Sequence, residues 1–98
     1  MIGVFVTFRY ENNFDETAVC KIAEAARARF EAMPGLRSKT FTVDAARREA
    51  VNFYVWDSVN AAHAFFSDVL LERVAELYGV RPDIRFVRIA ARVDNAPA

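Results

Sequence analysis

Two hydrophobic periods alternate along the chain, and each predicts its own element. Residues 2–9, IGVFVTFR, are β-branched and aromatic and predict a strand. From Asp15 to Met33 the apolar positions Val19, Ile22, Ala26, Phe30 and Met33 recur at helical spacing, with Glu24, Arg27 and Glu31 on the other side. Asn13 or Asp15 is placed to cap this helix, and Pro34-Gly35 to stop it. LRSKTFTV (36–43) and REAVNFYVW (48–56) read as two strands joined through Asp44-Ala45-Ala46-Arg47. Asp57-Ser58 caps a second helix, and Ser67-Asp68 offers another cap that breaks it in two. The second piece carries Leu70, Leu71, Val74, Leu77 and Tyr78 and ends at Gly79. A last strand follows over DIRFVRIAARV (83–93), and then DNAPA, a polar tail. The order is βαββαβ. Right-handed crossovers turn it into an α+β, ferredoxin-like four-stranded antiparallel sheet with its helices on one face. One domain over residues 1–95 is expected, with a frayed tail at 96–98.

The strand patterns add a second expectation. In the third strand one face carries Val51, Phe53 and Val55, and the other Asn52, Tyr54 and Trp56. The first strand sets Ile2, Val4, Val6 and Phe8 against Phe5 and Thr7; the fourth sets Ile84 and Phe86 against Val87, Ile89, Ala91 and Val93. A sheet with one wet face should alternate cleanly between apolar and polar side chains, and this one does not. The helices cover one face, so the other is an association surface, most simply covered by a second copy across a two-fold axis. A homodimer through the sheet face is expected.

Composition narrows the partners. The 98 residues carry 13 basic and 13 acidic side chains, so no net field draws in nucleic acid or an anionic membrane. No stretch approaches the ~20 apolar residues that span a bilayer, and no basic leader with a cleavage site precedes the first strand. The single cysteine, Cys20, lies mid-helix, reads as a buried inert thiol and suits a reducing compartment; a cytoplasmic location is expected. One His and one Cys do not make a usual zinc site, and three glycines do not make a phosphate loop, so no metal is expected.

The mixed face of the sheet is the candidate cleft. It would gather Asn52, Tyr54 and Trp56, with Ser38 and Thr40 from the second strand and Arg88 from the fourth. Small-molecule sites are mostly apolar with a few convergent polar groups, as here. The same pattern also describes a filled core in which Tyr and Trp bury area and find one partner each. An amide, an indole N–H and a guanidinium can all donate to a phenolate or enolate oxygen. His63, the only histidine, is the natural proton carrier, or else a packing residue on its helix.

The run PGLRSKTF followed by VNFYVWDSVNAAHAFFSD resembles the dimeric α/β-barrel superfamily, in particular its antibiotic-biosynthesis-monooxygenase-like branch. Pro-Gly leads into the second strand, Trp-acid-Ser ends the third, and a Ser-acid-x-Leu restart follows the helix. The resemblance implies a barrel made by two facing sheets and a cofactor-independent monooxygenase acting on a small aromatic or polyketide-like substrate. It implies Asn52, Trp56, Arg88 and His63 as catalytic residues, with Tyr54, Phe86, Thr40 and Phe66 around the substrate. No cofactor is expected. The alternative is a non-catalytic dimeric module that binds a hydrophobic ligand. A third reading is a haem-degrading relative, against which His63 stands a few residues early, with Phe65 and Phe66 at the later positions.

Overall fold

Residues 1–95 are described by a computed structural model. The elements are β1 (Ile2–Arg9), α1 (Glu16–Phe30), β2 (Leu36–Asp44), β3 (Glu49–Trp56), α2 (Val59–Phe65), α3 (Asp68–Tyr78) and β4 (Asp83–Arg88). Side-chain caps fix where the helices start. Asp15 accepts from the Ala18 N–H, Ser58 from that of Ala61 and Ser67 from that of Leu70, each at 3.0–3.2 Å. Asn13 is not a cap; it holds a left-handed turn before the helix (φ 56). The break at Ser67 follows from its own extended backbone and its capping side chain.

Two boundaries fall short of expectation. α1 stops at Phe30, because Glu31 is extended and Ala32 left-handed (φ 56), ahead of Pro34-Gly35. The residue before a proline disfavours the helical region, so the helix must unwind before Met33. β4 ends at Arg88 instead of Val93. Among the described residues its only neighbour is β1, and Ile2, the first residue of β1, already pairs with Arg88; beyond it only the Ile89 N–H reaches the Met1 carbonyl, at 3.4 Å. Asp94 and Asn95 lie outside any element, and the tail expected at 96–98 lies outside the described residues.

The sheet order is β2-β3-β1-β4, every pair antiparallel. Directly paired residues share a face. The helix side therefore receives Ile2, Val4, Val6 and Phe8, then Ala50, Asn52, Tyr54 and Trp56, then Ile84, Phe86 and Arg88. Val4, Phe8 and Trp56 are the most deeply buried large side chains and form the floor under the helices.

β2 holds a bulge. Leu36 pairs with Trp56 and Ser38 with the adjacent Val55, so one residue more stands in β2 than in β3. Strict alternation from Leu36 would send Ser38 and Thr40 toward the helices. The extra residue reverses this: Lys39, Phe41 and Val43 turn inward, and Ser38, Thr40 and Thr42 turn outward.

The outer face is apolar across its centre. Phe5 and Phe53 lie 4.6 Å apart between ring centres, flanked by half-buried Val51 and Val87. Gly3 belongs to the same patch, where a Cβ would lie 3.0 Å from both the Phe53 ring and Val87, so glycine lets those side chains close over the strand. Among the described residues no helix is long and apolar enough to cross a membrane.

Candidate functional site

β3 contributes the polar floor of a cavity between the sheet and the helices. Asn52 is only 3 % exposed, and its amide Nδ2 donates to the hydroxyl of Tyr78, at the end of α3, over 3.3 Å. Tyr78 is in turn fixed from behind. Its ring stacks on Phe8 at 3.8 Å, and its backbone carbonyl accepts from the Tyr10 hydroxyl at 2.7 Å. The cavity has a volume of about 350 Å³ and opens between α1 and α3. Ile22, Phe30 and Met33 wall it on one side, Phe65, Val74 and Leu77 on the other, with Tyr54 and Phe41 from the sheet. A smaller cavity of about 290 Å³, on the other side of Asn52 and Tyr78, runs under Val19, Ala23 and Cys20. Cys20 is thus exposed, not buried: it stands on the solvent side of its helix next to buried Val19.

The charged groups of the larger cavity are Arg29 and Lys39, both cations. Lys39 lies with its Nζ 3.5 Å from the ring centre of Phe30 and 4.3 Å from that of Tyr54. Burial, with Arg29 adding to it, brings the Lys39 amine down to about 7. Burial pushes the Tyr54 phenol well up, so it stays protonated across the physiological range. It also pushes Tyr78 up, and the Asn52 hydrogen bond only partly opposes this. The cavity thus offers an amide, two phenols that keep their protons, and a readily deprotonated amine, all set among rings. That combination suits a flat aromatic ligand carrying oxygen on one edge.

The structure gathers some of the expected residues and separates others. Asn52 and Tyr54 line the cavity. Trp56 shares their face but is 2 % exposed and stands behind Tyr54, the two rings nearly parallel at 6.0 Å. Its indole N–H is buried with no hydrogen-bond acceptor among the described residues. Phe66 packs against Tyr54 at 5.0 Å and Trp56 at 6.1 Å, in the layer behind the cavity wall. His63 is exposed and stacks on Phe86 at 4.5 Å, toward β4 and outside the cavity lining. Arg88, on the edge strand, is exposed there too. Thr40, and Ser38 with it, lie on the opposite face, because the bulge in β2 reverses their orientation. The sequence pattern does not point to Lys39 or Tyr78: the first is hidden by the same bulge, and the second reads as an ordinary apolar position of a helix.

No family model matches the chain, and no curated protein matches it by sequence. Solved structures do match in three dimensions. A monooxygenase from the gene ActVA-Orf6 of Streptomyces coelicolor, in complex with nanaomycin D, superposes with a TM-score of 0.68 at 20% identity, over 97% of this chain and 92% of its own. SnoaB, a cofactor-independent oxygenase from Streptomyces nogalater, gives 0.67 at 13% identity, over 96% and 97%. A protein of Deinococcus radiodurans provisionally assigned as an antibiotic biosynthesis monooxygenase gives 0.65 at 13% identity, over 99% and 100%. With its βαββαβ order, its β2-β3-β1-β4 sheet and these superpositions, the chain has the ferredoxin-like fold of the antibiotic-biosynthesis-monooxygenase-like proteins.

Proposed function

We propose that this protein is a cofactor-independent monooxygenase acting on a small aromatic or polyketide-like substrate held between sheet and helices. The observation that carries the reading is the hydrogen-bonded Asn52–Tyr78 pair on the floor of an otherwise ring-lined cavity. The likeness in fold to a cofactor-independent oxygenase and to a monooxygenase holding nanaomycin D supports it. An electron-rich ring with an acidic hydroxyl can react with O2 once that hydroxyl is deprotonated. The anion gives one electron to O2, the radical pair joins into a ring hydroperoxide, and loss of water leaves a quinone carbonyl. One oxygen atom ends on the substrate and the other in water, so no outside reductant is consumed. Polar groups fixed toward the anion's oxygen stabilise the state in which charge develops. Asn52 has an amide there, and Tyr54 has a phenol whose proton stays in place. With His63 and Arg88 outside the cavity lining, the proton work falls to groups on its wall.

Oxygen-electrode measurements over a panel of dihydroxyaromatic substrates test this reading. Uptake that falls at least about tenfold in Asn52→Ala is the expected result; no uptake with any substrate would sink it. A second reading, a non-catalytic module binding a hydrophobic ligand, is favoured by the placement of Trp56, Arg88 and His63 outside the cavity lining. Ligand binding without oxygen consumption would select it. In either case we propose that the Phe5–Phe53 face is closed by a second copy of the chain, completing a barrel of two sheets.

A further inference from the structure

Lys39 stands apart because of what surrounds its amine. The Nζ lies 3.5 Å from the centre of the Phe30 ring, 4.2 Å from Phe41 and 4.3 Å from Tyr54. It takes part in none of the ion pairs among the described residues, whereas Arg27 pairs with Glu24 and Arg37 with Asp57. The titratable and charged groups around it are few. Arg29 comes from α1, Tyr54 from β3 and Tyr78 from α3, on the cavity side; Arg27, Glu31 and Arg37 line the adjoining groove. Glu31, the one carboxylate of this set, makes no ion pair with the amine. Ring faces replace part of an ammonium's hydration, and a partner anion would replace more. The cavity therefore holds two basic side chains, Arg29 and Lys39, with no acidic residue in its lining.

We propose that Lys39 takes the proton from an acidic hydroxyl of an aromatic ligand in this cavity and then holds the resulting oxyanion as its ion-pair partner. The inference rests on the cavity reading above and adds to it the residue that takes the hydroxyl proton and then pairs with the oxyanion. Only a proton moves. The O–H bond of the ligand breaks, an N–H bond forms at Nζ, and the electron pair stays on oxygen. Burial that holds the amine near 7 leaves a large share of it unprotonated in neutral solution. The same ammonium–phenolate ion pair then forms whether neutral amine meets phenol or charged amine meets phenolate. Arg29 adds positive potential from the cavity mouth without giving up a proton of its own.

para-Nitrophenol is a suitable probe, because only its ionised form absorbs in the visible. Titrated into the protein below its own solution pKa, it should bind saturably and show the phenolate band. Lys39→Met should abolish that band and weaken binding by about tenfold or more, while Lys39→Arg should keep the band. A bound probe that stays neutral in the wild type, a band that persists in Lys39→Met, or no saturable binding would each overturn the proposal. Far-UV circular dichroism checks that the methionine variant folds. Independently of any variant, the Lys39 side-chain resonance should titrate at higher pH once the probe is bound; no movement would also overturn it. A Lys39-dependent phenolate with no oxygen consumption from any hydroxyaromatic would remove the oxygenase reading and leave this one. Oxygen consumption unchanged in Lys39→Met would do the reverse.

Discussion

The hydroxyl of Tyr78 receives the amide of Asn52 on the nearly buried floor of the cavity, so removing it takes away that donor's partner. Tyr78→Phe should lower stability by about 1–3 kcal/mol, the cost of a buried polar group left unpaired. Urea unfolding with an unchanged slope would register that loss. Adding Asn52→Leu to the same variant should recover part of it, since the orphaned group is then gone; a double variant less stable than the single would contradict this account. At this scale the sequence was readable only in part. Asn52 and Tyr54 share a face by simple alternation along β3, and they do share it. Thr40 was assigned by the same alternation and lies on the other face, because period-two counting does not see an inserted residue. His63 stands out by its chemistry and by the family resemblance, and neither says which way a helix turns its side chains.

α3 sets the position of Tyr78, and a serine fixes where α3 begins. The Ser67 hydroxyl accepts from the Leu70 N–H at 3.2 Å, so Ser67→Ala should cost about 1 kcal/mol. Thermal melts should show the loss. Probe affinity should fall along with it, because Tyr78 closes the far end of the same helix and lines the cavity. Wild-type affinity in a destabilised Ser67→Ala would separate the cap from the site. Helix starts were legible because an N-cap is a local event: one side chain and a backbone N–H three residues on. The ends of α1 and β4 were not. The proline that stops α1 does not say how many residues before it the helix unwinds, and β4 ends with the first paired residue of a neighbouring strand.

For the molecule as a whole, the four strands follow from pattern and handedness and a cleft on the mixed face from the strand alternation, while the cavity's volume follows from neither, since it depends on how far α1 stands off the sheet. Two consequences belong to this scale. Between about 7 and 10.5 the unfolded chain holds a proton at Lys39 that the folded chain has released, so stability should rise with pH across that window. Above about 10 the direction reverses, because the unfolded chain loses phenol protons that Tyr54, Tyr78 and Tyr10 retain when folded. Unfolding measured from neutral to strongly alkaline pH should therefore pass through a maximum, and Lys39→Met should flatten its rising side. Phe53→Asp places a charge in the centre of the outer apolar face. If a second copy closes this face, as proposed, sedimentation at micromolar concentration should report pairs for the unaltered chain and single subunits for the variant; pairs that survive the change would place the contact elsewhere. The one surplus residue in β2 has a consequence at its rim. Deleting Arg37 would set Leu36 and Ser38 in succession opposite Trp56 and Val55, and the ladder beyond would keep its register, with Lys39 and Phe41 still toward the helices and Ser38 and Thr40 still outward. What would go is the outward guanidinium that grips Asp57, directly ahead of the Ser58 cap. The insertion thus works as a clasp between the start of one strand and the loop that launches α2, and it can be trimmed without turning the strand over.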